Sequence, residues 1–153
     1  MRDTLREEIS DVLRELGITA VYVTHDQGEA MGPADRLVVM SNGRIEQIGA
    51  PTVSYEHPAN RFVASFVGET NALPENPQTL FRPEAVSIIE PTMPGSRIAM
   101  ITSVTYPGAS RRVLLDLEGQ PIIAYVEGLR QLVPGDQVGV TLDTKRFMQW
   151  ESS

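Results

Sequence analysis

The chain has 153 residues, enough for one ordinary domain or two small ones, and its 41% hydrophobic and 22% charged content fits a globular protein with a buried core. A net charge of −7 argues against a general binder of nucleic acid or of anionic membrane, which would want a basic surface. Without cysteine there is no disulfide framework and no thiolate chemistry.

The charged opening MRDTLREEIS is not a signal peptide. No apolar run reaches the roughly 20 residues that span a bilayer. A cytosolic chain is expected. Leu5, Ile9, Val12, Leu13 and Leu16 recur at helical spacing. Asp3 is placed to cap that helix, Glu7 and Glu8 lie near its positive end, and Gly17 can terminate it. TAVYV, residues 19–23, reads as a buried strand. A short helix is expected through Glu29 and Ala30, broken near Gly32-Pro33. RLVVMS, residues 36–41, is a second strand, and Asn42-Gly43 is a strong hairpin signal leading into RIEQIG, residues 44–49. PTVSYEHPANRFVASFVG then suggests one or two short helices with Phe62, Val63, Phe66 and Val67 as an apolar stripe. This half, residues 1–68, reads as the end of an α/β layer, with a strand before the first helix as the expected missing piece, since two parallel strands cannot be covered on both faces.

ETNALPENPQTL, residues 69–80, is polar with two prolines and reads as a linker or crossover. After it come six short strand-like runs: AVSII, SRIAMITSVTY, RRVLLDL, PIIAYV, QVGVTLD and RFMQW. Pro94-Gly95, Pro107-Gly108, Glu118-Gly119 and Pro134-Gly135-Asp136 punctuate them. Such spacing predicts a small antiparallel barrel, so residues 69–153 are expected to be a linker plus barrel.

The run from Gly17 to Asn71, with T-H-D-Q-x-E-A-x-x-x-A-D-R at residues 24–36 and the N-G-R-I-x-Q-x-G hairpin at residues 42–49, resembles the end of the ATP-binding subunit of an ABC importer. The resemblance is to the maltose, polyamine and ferric-iron importer group, and FVGETN, residues 66–71, leans towards its polyamine or iron branch. LFRPEAVSI, residues 80–88, resembles the opening of the regulatory barrel of that group, the TOBE (transport-associated OB) domain. The implied fold class is α+β: a truncated α/β end of an ABC ATPase domain followed by a small antiparallel OB-like β-barrel. In that family a switch histidine donates to the γ-phosphate of ATP and steadies the attacking water, work that suits a directional imidazole N–H. His25 stands at that position, flanked by the matching Thr24 and Asp26; Gly28 and Gly32-Pro33 depart from the usual residues.

Other expected parts are absent from the sequence. The G-x-x-x-x-G-K-[ST] phosphate loop is missing, and Lys145 is the sole lysine. No Gly-Gly pair supplies an LSGGQ-type signature, and no strand ends in Asp-Glu. Phosphoryl transfer needs many groups positioned together. His25 is therefore expected to be an orphaned catalytic and γ-phosphate residue, with no ATPase activity and no cofactor in this chain, while ATP and magnesium belong to the full-length parent. The chain is expected to be a truncated or short reading frame. Its expected partners are a second copy, through the barrel and the exposed first half, and in the full-length parent the transporter's membrane subunits, with the parent peripheral on the inner face of the cell membrane. No nucleic acid is expected.

Other groupings carry less. His25 and His57 match no zinc spacing, and no metal site is expected. Asp26 and Glu29 suit a helix start better than acid–base work. Arg111 and Arg112 are consecutive strand residues pointing to opposite faces, hence solvated arginines rather than one anion site. The alternative function is a stand-alone TOBE module or adaptor that senses a ligand or an anion.

Overall fold

The computed structural model describes residues 2–26, 31, 32, 34–106, 110–128 and 131–150. The chain divides into two compact units, Met1–Gly68 and Glu69–Ser153.

In the first unit, α1 (Arg2–Glu15) ends in a left-handed Gly17 with φ 65°. The Ile18 N–H donates to the Leu13 carbonyl at 2.9 Å and the Gly17 N–H to the Arg14 carbonyl at 3.1 Å. These two bonds make a Schellman cap, and they need the positive φ that glycine adopts without a Cβ clash. Asp3, expected as the cap, lies within α1, which begins at Arg2. Residues 19–23 are not a strand. Val21 is 87% and Val23 89% exposed, so the expected burial is wrong as well. A strand exists through its ladder, and among the described residues none pairs with this run. The helix expected through Glu29 and Ala30 lies outside the described residues.

β1 (Leu37–Ser41) and β2 (Arg44–Gly49) form the expected antiparallel hairpin. Asn42 and Gly43 have φ of 49° and 74° at its tip, the two positive values of a type I′ turn. α2 (Pro51–Glu56) and α3 (Arg61–Val67) follow, and Asn60 caps α3 by accepting from the Val63 N–H at 2.9 Å. Leu37, Val39, Val63 and Val67 are the core of this unit, with Met31, Tyr55 and Phe66 against it. Of the expected apolar stripe, Phe62 lies outside that core, stacked on Phe66 at 5.9 Å.

The second unit begins where a linker was expected. Residues 69–80 are not a linker: β3 (Asn71–Leu73) and β4 (Asn76–Phe81) form a hairpin whose other edge pairs with β10 (Phe147–Met148). The polar composition misleads because Asn71 is buried as a hydrogen-bonding element rather than solvated. The remaining strands are β5 (Val86–Ile89), β6 (Arg97–Thr105), β7 (Arg111–Leu117), β8 (Gln120–Val126) and β9 (Gln137–Leu142). They make one antiparallel sheet in the order β5-β9-β6-β7-β8. All six expected strands are present. Glu118 and Gly119, with φ of 56° and 81°, form the tight turn between β7 and β8.

Alternation along β7 sends Val113, Leu115 and Leu117 inward, where they meet Phe81, Ile101 and Ile122 in a single core enclosed by both sheets. On β9, Val138 and Val140 point into this core and Gly139 points outward under the turn at residues 90–96. A Cβ at Gly139 would lie 2.5 Å from the Glu90 carbonyl oxygen, so the turn can sit there only over glycine. The architecture is α+β, with a small antiparallel OB-like barrel as the second unit.

Candidate functional site

His25 follows the non-strand run of residues 19–23 and is exposed. Beside it the Asp26 N–H donates to Thr24 Oγ1 at 3.0 Å, a local turn of the kind threonine makes with its own backbone. His57 is exposed too, at the end of α2, and its carbonyl accepts from Gln47 Nε2 at 3.1 Å. Glu29 lies outside the described residues, so the Asp26–Glu29 pair is not placed. Among the described residues no cluster of histidine and acidic side chains could hold a metal ion.

Among the described residues a dense polar cluster lies in the second unit, at Glu69. Arg112 on β7 and Tyr125 on β8 are directly opposite in the register, so their side chains leave the same face of the sheet. Glu69 lies across that pair. Arg112 donates through Nε at 3.0 and 3.1 Å and through Nη2 at 2.7 Å, and the Tyr125 hydroxyl donates at 2.6 Å. The Glu69 carbonyl accepts from Nη1 of the buried Arg82 at 3.1 Å. Arg111, one residue away, points to the other face and donates to the Gly128 carbonyl at 2.6 Å. The two arginines do face opposite ways. Neither is the solvated strand arginine expected, because Arg111 is buried and Arg112 grips a carboxylate.

The cluster sets two titrations apart. The hydrogen bond from Arg112 holds the Glu69 carboxyl below its ordinary value, against the opposing effect of burial and with help from Tyr125. Burial first, and then the bond to Glu69, push the Tyr125 phenol from 10.0 up to about 12. A carboxyl whose pKa falls on folding adds stability above its unfolded value, lost as pH drops through the folded value. A phenol whose pKa rises on folding adds stability that is complete below pH 10 and lost as pH rises towards 12. The difference in urea midpoint between the native chain and Tyr125→Phe is therefore expected to stay flat from neutrality to about pH 10 and to shrink towards pH 12. A difference independent of pH would remove the Tyr125 bond from the account.

The Glu69 cluster escaped the sequence. The Glu118-Gly119 turn makes Arg112 and Tyr125 partners, since pairing Leu117 with Gln120 carries the register back to them. Nothing in the sequence places Glu69, which precedes both strands by more than 40 residues, across that pair.

Comparison with known proteins supplies the family. Residues 80–148 match the TOBE domain. The sulfate/thiosulfate import ATP-binding protein of Pseudomonas putida is 44% identical over 122 residues, covering 78% of this chain and 37% of that protein. The sn-glycerol-3-phosphate import ATP-binding protein of Rhizobium johnstonii is 36% identical over 94% of this chain and 47% of its own length. The spermidine/putrescine import ATP-binding protein of Bacillus thuringiensis is 38% identical over 92% of this chain and 45% of its own length. The chain thus spans less than half the length of these relatives. With an antiparallel barrel in place and the match running through both units, the chain corresponds to the C-terminal region, with its TOBE domain, of the ATP-binding subunits of ABC importers.

Proposed function

We propose that this chain carries the switch-histidine segment and the regulatory barrel of an ATP-driven solute importer and has no ATPase activity by itself. The observation that carries this reading is the similarity across both units to import ATP-binding proteins, in a sequence without a phosphate loop. His25 is then the residue that meets the γ-phosphate in the complete subunit. The residues present do not fit ATP and magnesium as bound groups: no glycine-rich lysine loop cradles phosphates and no Asp-Glu strand end supplies the metal-linked carboxylate. No step of phosphoryl transfer is therefore assigned to this chain. This reading requires membrane-embedded subunits as partners, with the chain docked to them from the cytoplasmic side. FVGETN favours a polyamine or iron solute, while the relatives named above import sulfate, glycerol phosphate and polyamines. The anion-sensing alternative gains nothing from Arg111 and Arg112, since both are engaged by internal acceptors.

A thermal melt with and without magnesium–ATP tests the reading. A ligand that binds only the folded state raises the midpoint. No shift is expected; a saturable rise would show a nucleotide site without a phosphate loop and overturn it.

A second copy is proposed as the cover for the first unit. Ile9, Val12 and Leu16 on α1 are more than half exposed, Tyr22 is as exposed as Leu16, and Val21 and Val23 are more exposed still. Exposed apolar side chains in such number favour self-association. Light scattering is expected to show a dimer whose mass falls to that of one chain when Val21 and Val23 are both changed to Asp. A monomer at high concentration would rule the dimer out.

A further inference from the structure

We propose that Asn42 is a site of spontaneous covalent modification, at which the backbone nitrogen of Gly43 displaces the side-chain amide and leaves aspartate and isoaspartate. The chain has four asparagines, and their surroundings differ. Asn42 and Gly43 are the exposed tip of the β1–β2 hairpin, both with positive φ. Glycine has no Cβ to obstruct its own nitrogen. The ladder closes on Ser41 and Arg44, so the Gly43 N–H is not spent on it. Among the described residues the Asn42 amide makes one long bond, from Nδ2 to Ser41 Oγ at 3.4 Å. The other three are protected in distinct ways. Asn60 accepts from the Val63 N–H at 2.9 Å and donates to Glu46 at 2.8 Å. Asn71 is buried, with both ends of its amide bonded to the Ile123 backbone. Asn76 is exposed, but Pro77 follows it, and a prolyl nitrogen has no proton to lose.

The reaction needs only hydroxide and water. The Gly43 nitrogen gives up its proton and attacks Asn42 Cγ. An N–Cγ bond forms, the Cγ–Nδ2 bond breaks, and Nδ2 takes a proton and leaves as ammonia. Water then opens the cyclic imide. Opening at Cγ gives aspartate; opening at the backbone carbonyl gives isoaspartate, whose main chain runs through Cγ. Nothing is oxidised or reduced, and each event turns a neutral amide into a carboxylate. The closed turn has to open before the nitrogen can reach Cγ. β1 and β2 are a two-stranded sheet with a bulge between Val39 and Met40, close to the turn, and no third strand borders them among the described residues. Such a hairpin opens more readily than a wider sheet. The two products differ in consequence. Asp-Gly suits a type I′ turn as Asn-Gly does. Isoaspartate adds a backbone carbon to a two-residue loop, so Ser41 and Arg44 cannot stay opposite each other.

The test holds the full chain at mildly alkaline pH, well below its melting midpoint, and samples it over weeks. Circular dichroism checks that it stays folded. Trypsin cuts after Arg36 and Arg44, so the peptide 37–44 carries Asn42 and no other asparagine. Mass spectrometry reads the exchange of amide for acid, and an unaged sample digested alongside corrects for loss during digestion. Progressive loss of the Asn42 amide is expected, giving two acid peptides of equal mass, of which one accepts a methyl group from an isoaspartyl methyltransferase. Asn60, Asn71 and Asn76 are expected to keep their amides over the same period. A peptide 37–44 that keeps its amide, or earlier loss at another asparagine, overturns the proposal, and aspartate as the sole product overturns the imide route. Asn42→Asp separates the two products. It is expected to keep the native midpoint and the hydrogen-exchange protection of β1 and β2, whereas the aged, isoaspartate-bearing chain loses that protection. Equal protection in both would remove the effect on the turn.

Discussion

Phe81→Ala is expected to destabilise the second unit by about 3–5 kcal/mol, the usual cost of removing a fully buried aromatic ring. Phe81 has no exposed surface and stands in β4, between β3 and β10. Its ring stacks on Phe147 at 5.3 Å, and its backbone pairs with Phe147 in β10 and with Asn71 in β3. Truncation leaves a cavity where the two sheets meet and removes the stacking partner of Phe147 in the two-residue strand β10. In a unit of this size each kcal/mol lowers the melting midpoint by roughly 4–8 °C, so a fall of at least about 12 °C is expected. Circular dichroism of the full chain reads it. Phe81→Leu, which keeps most of the volume, is expected to cost about half as much. A fall of only a few degrees for Phe81→Ala would mean that the core closes around the gap, and that the three-stranded sheet is not its keystone.

Asn71→Ala is the second large effect, at about 2–4 kcal/mol. Asn71 is 2% exposed and its amide makes both bonds that a neighbouring strand would make to Ile123. β8 is the last strand of the five-stranded sheet, so Ile123 has no further strand beside it there. The asparagine stands in for that strand and links β3 to the open edge. Alanine leaves an N–H and a carbonyl without partners in a partly buried place, which costs more than the bonds themselves contribute. Hydrogen exchange gives the specific readout: the Ile123 amide loses its protection in Asn71→Ala while amides in the centre of β7 keep theirs. Equal loss along β7 and β8 would instead show that the whole sheet loosens, and the edge-closing role would fall.

Local structure was largely legible in the sequence, and the reasons are local. Asn42-Gly43 reverses the chain because asparagine and glycine tolerate positive φ, and the Glu118-Gly119 turn closes on its glycine with Asp116 Oδ1 accepting from the Gly119 N–H, all within a few residues. Gly17 stops α1 for the same reason. Alternation along β7 told core from surface for Val113, Leu115 and Leu117. The family, too, was readable from the order of residues 24–49.

Other features depended on partners distant in the chain. TAVYV has strand composition yet is no strand, because a strand is defined by its neighbour and none of the described residues provides one. ETNALPENPQTL has linker composition yet folds into the barrel, because Ile123, Arg112 and Tyr125 wait for its polar groups 40 to 60 residues further on. Arg111 and Arg112 looked like a solvated pair, and the register sends one to the Gly128 carbonyl and the other to Glu69. By itself the sequence determined the turns, the helix stop, the alternation and the membership of a family, all of which rest on backbone preferences and side-chain order along a few residues. Only the tertiary structure decided which polar residues are buried and paired, because a hydrogen bond across 50 residues depends on where the sheets bring both ends.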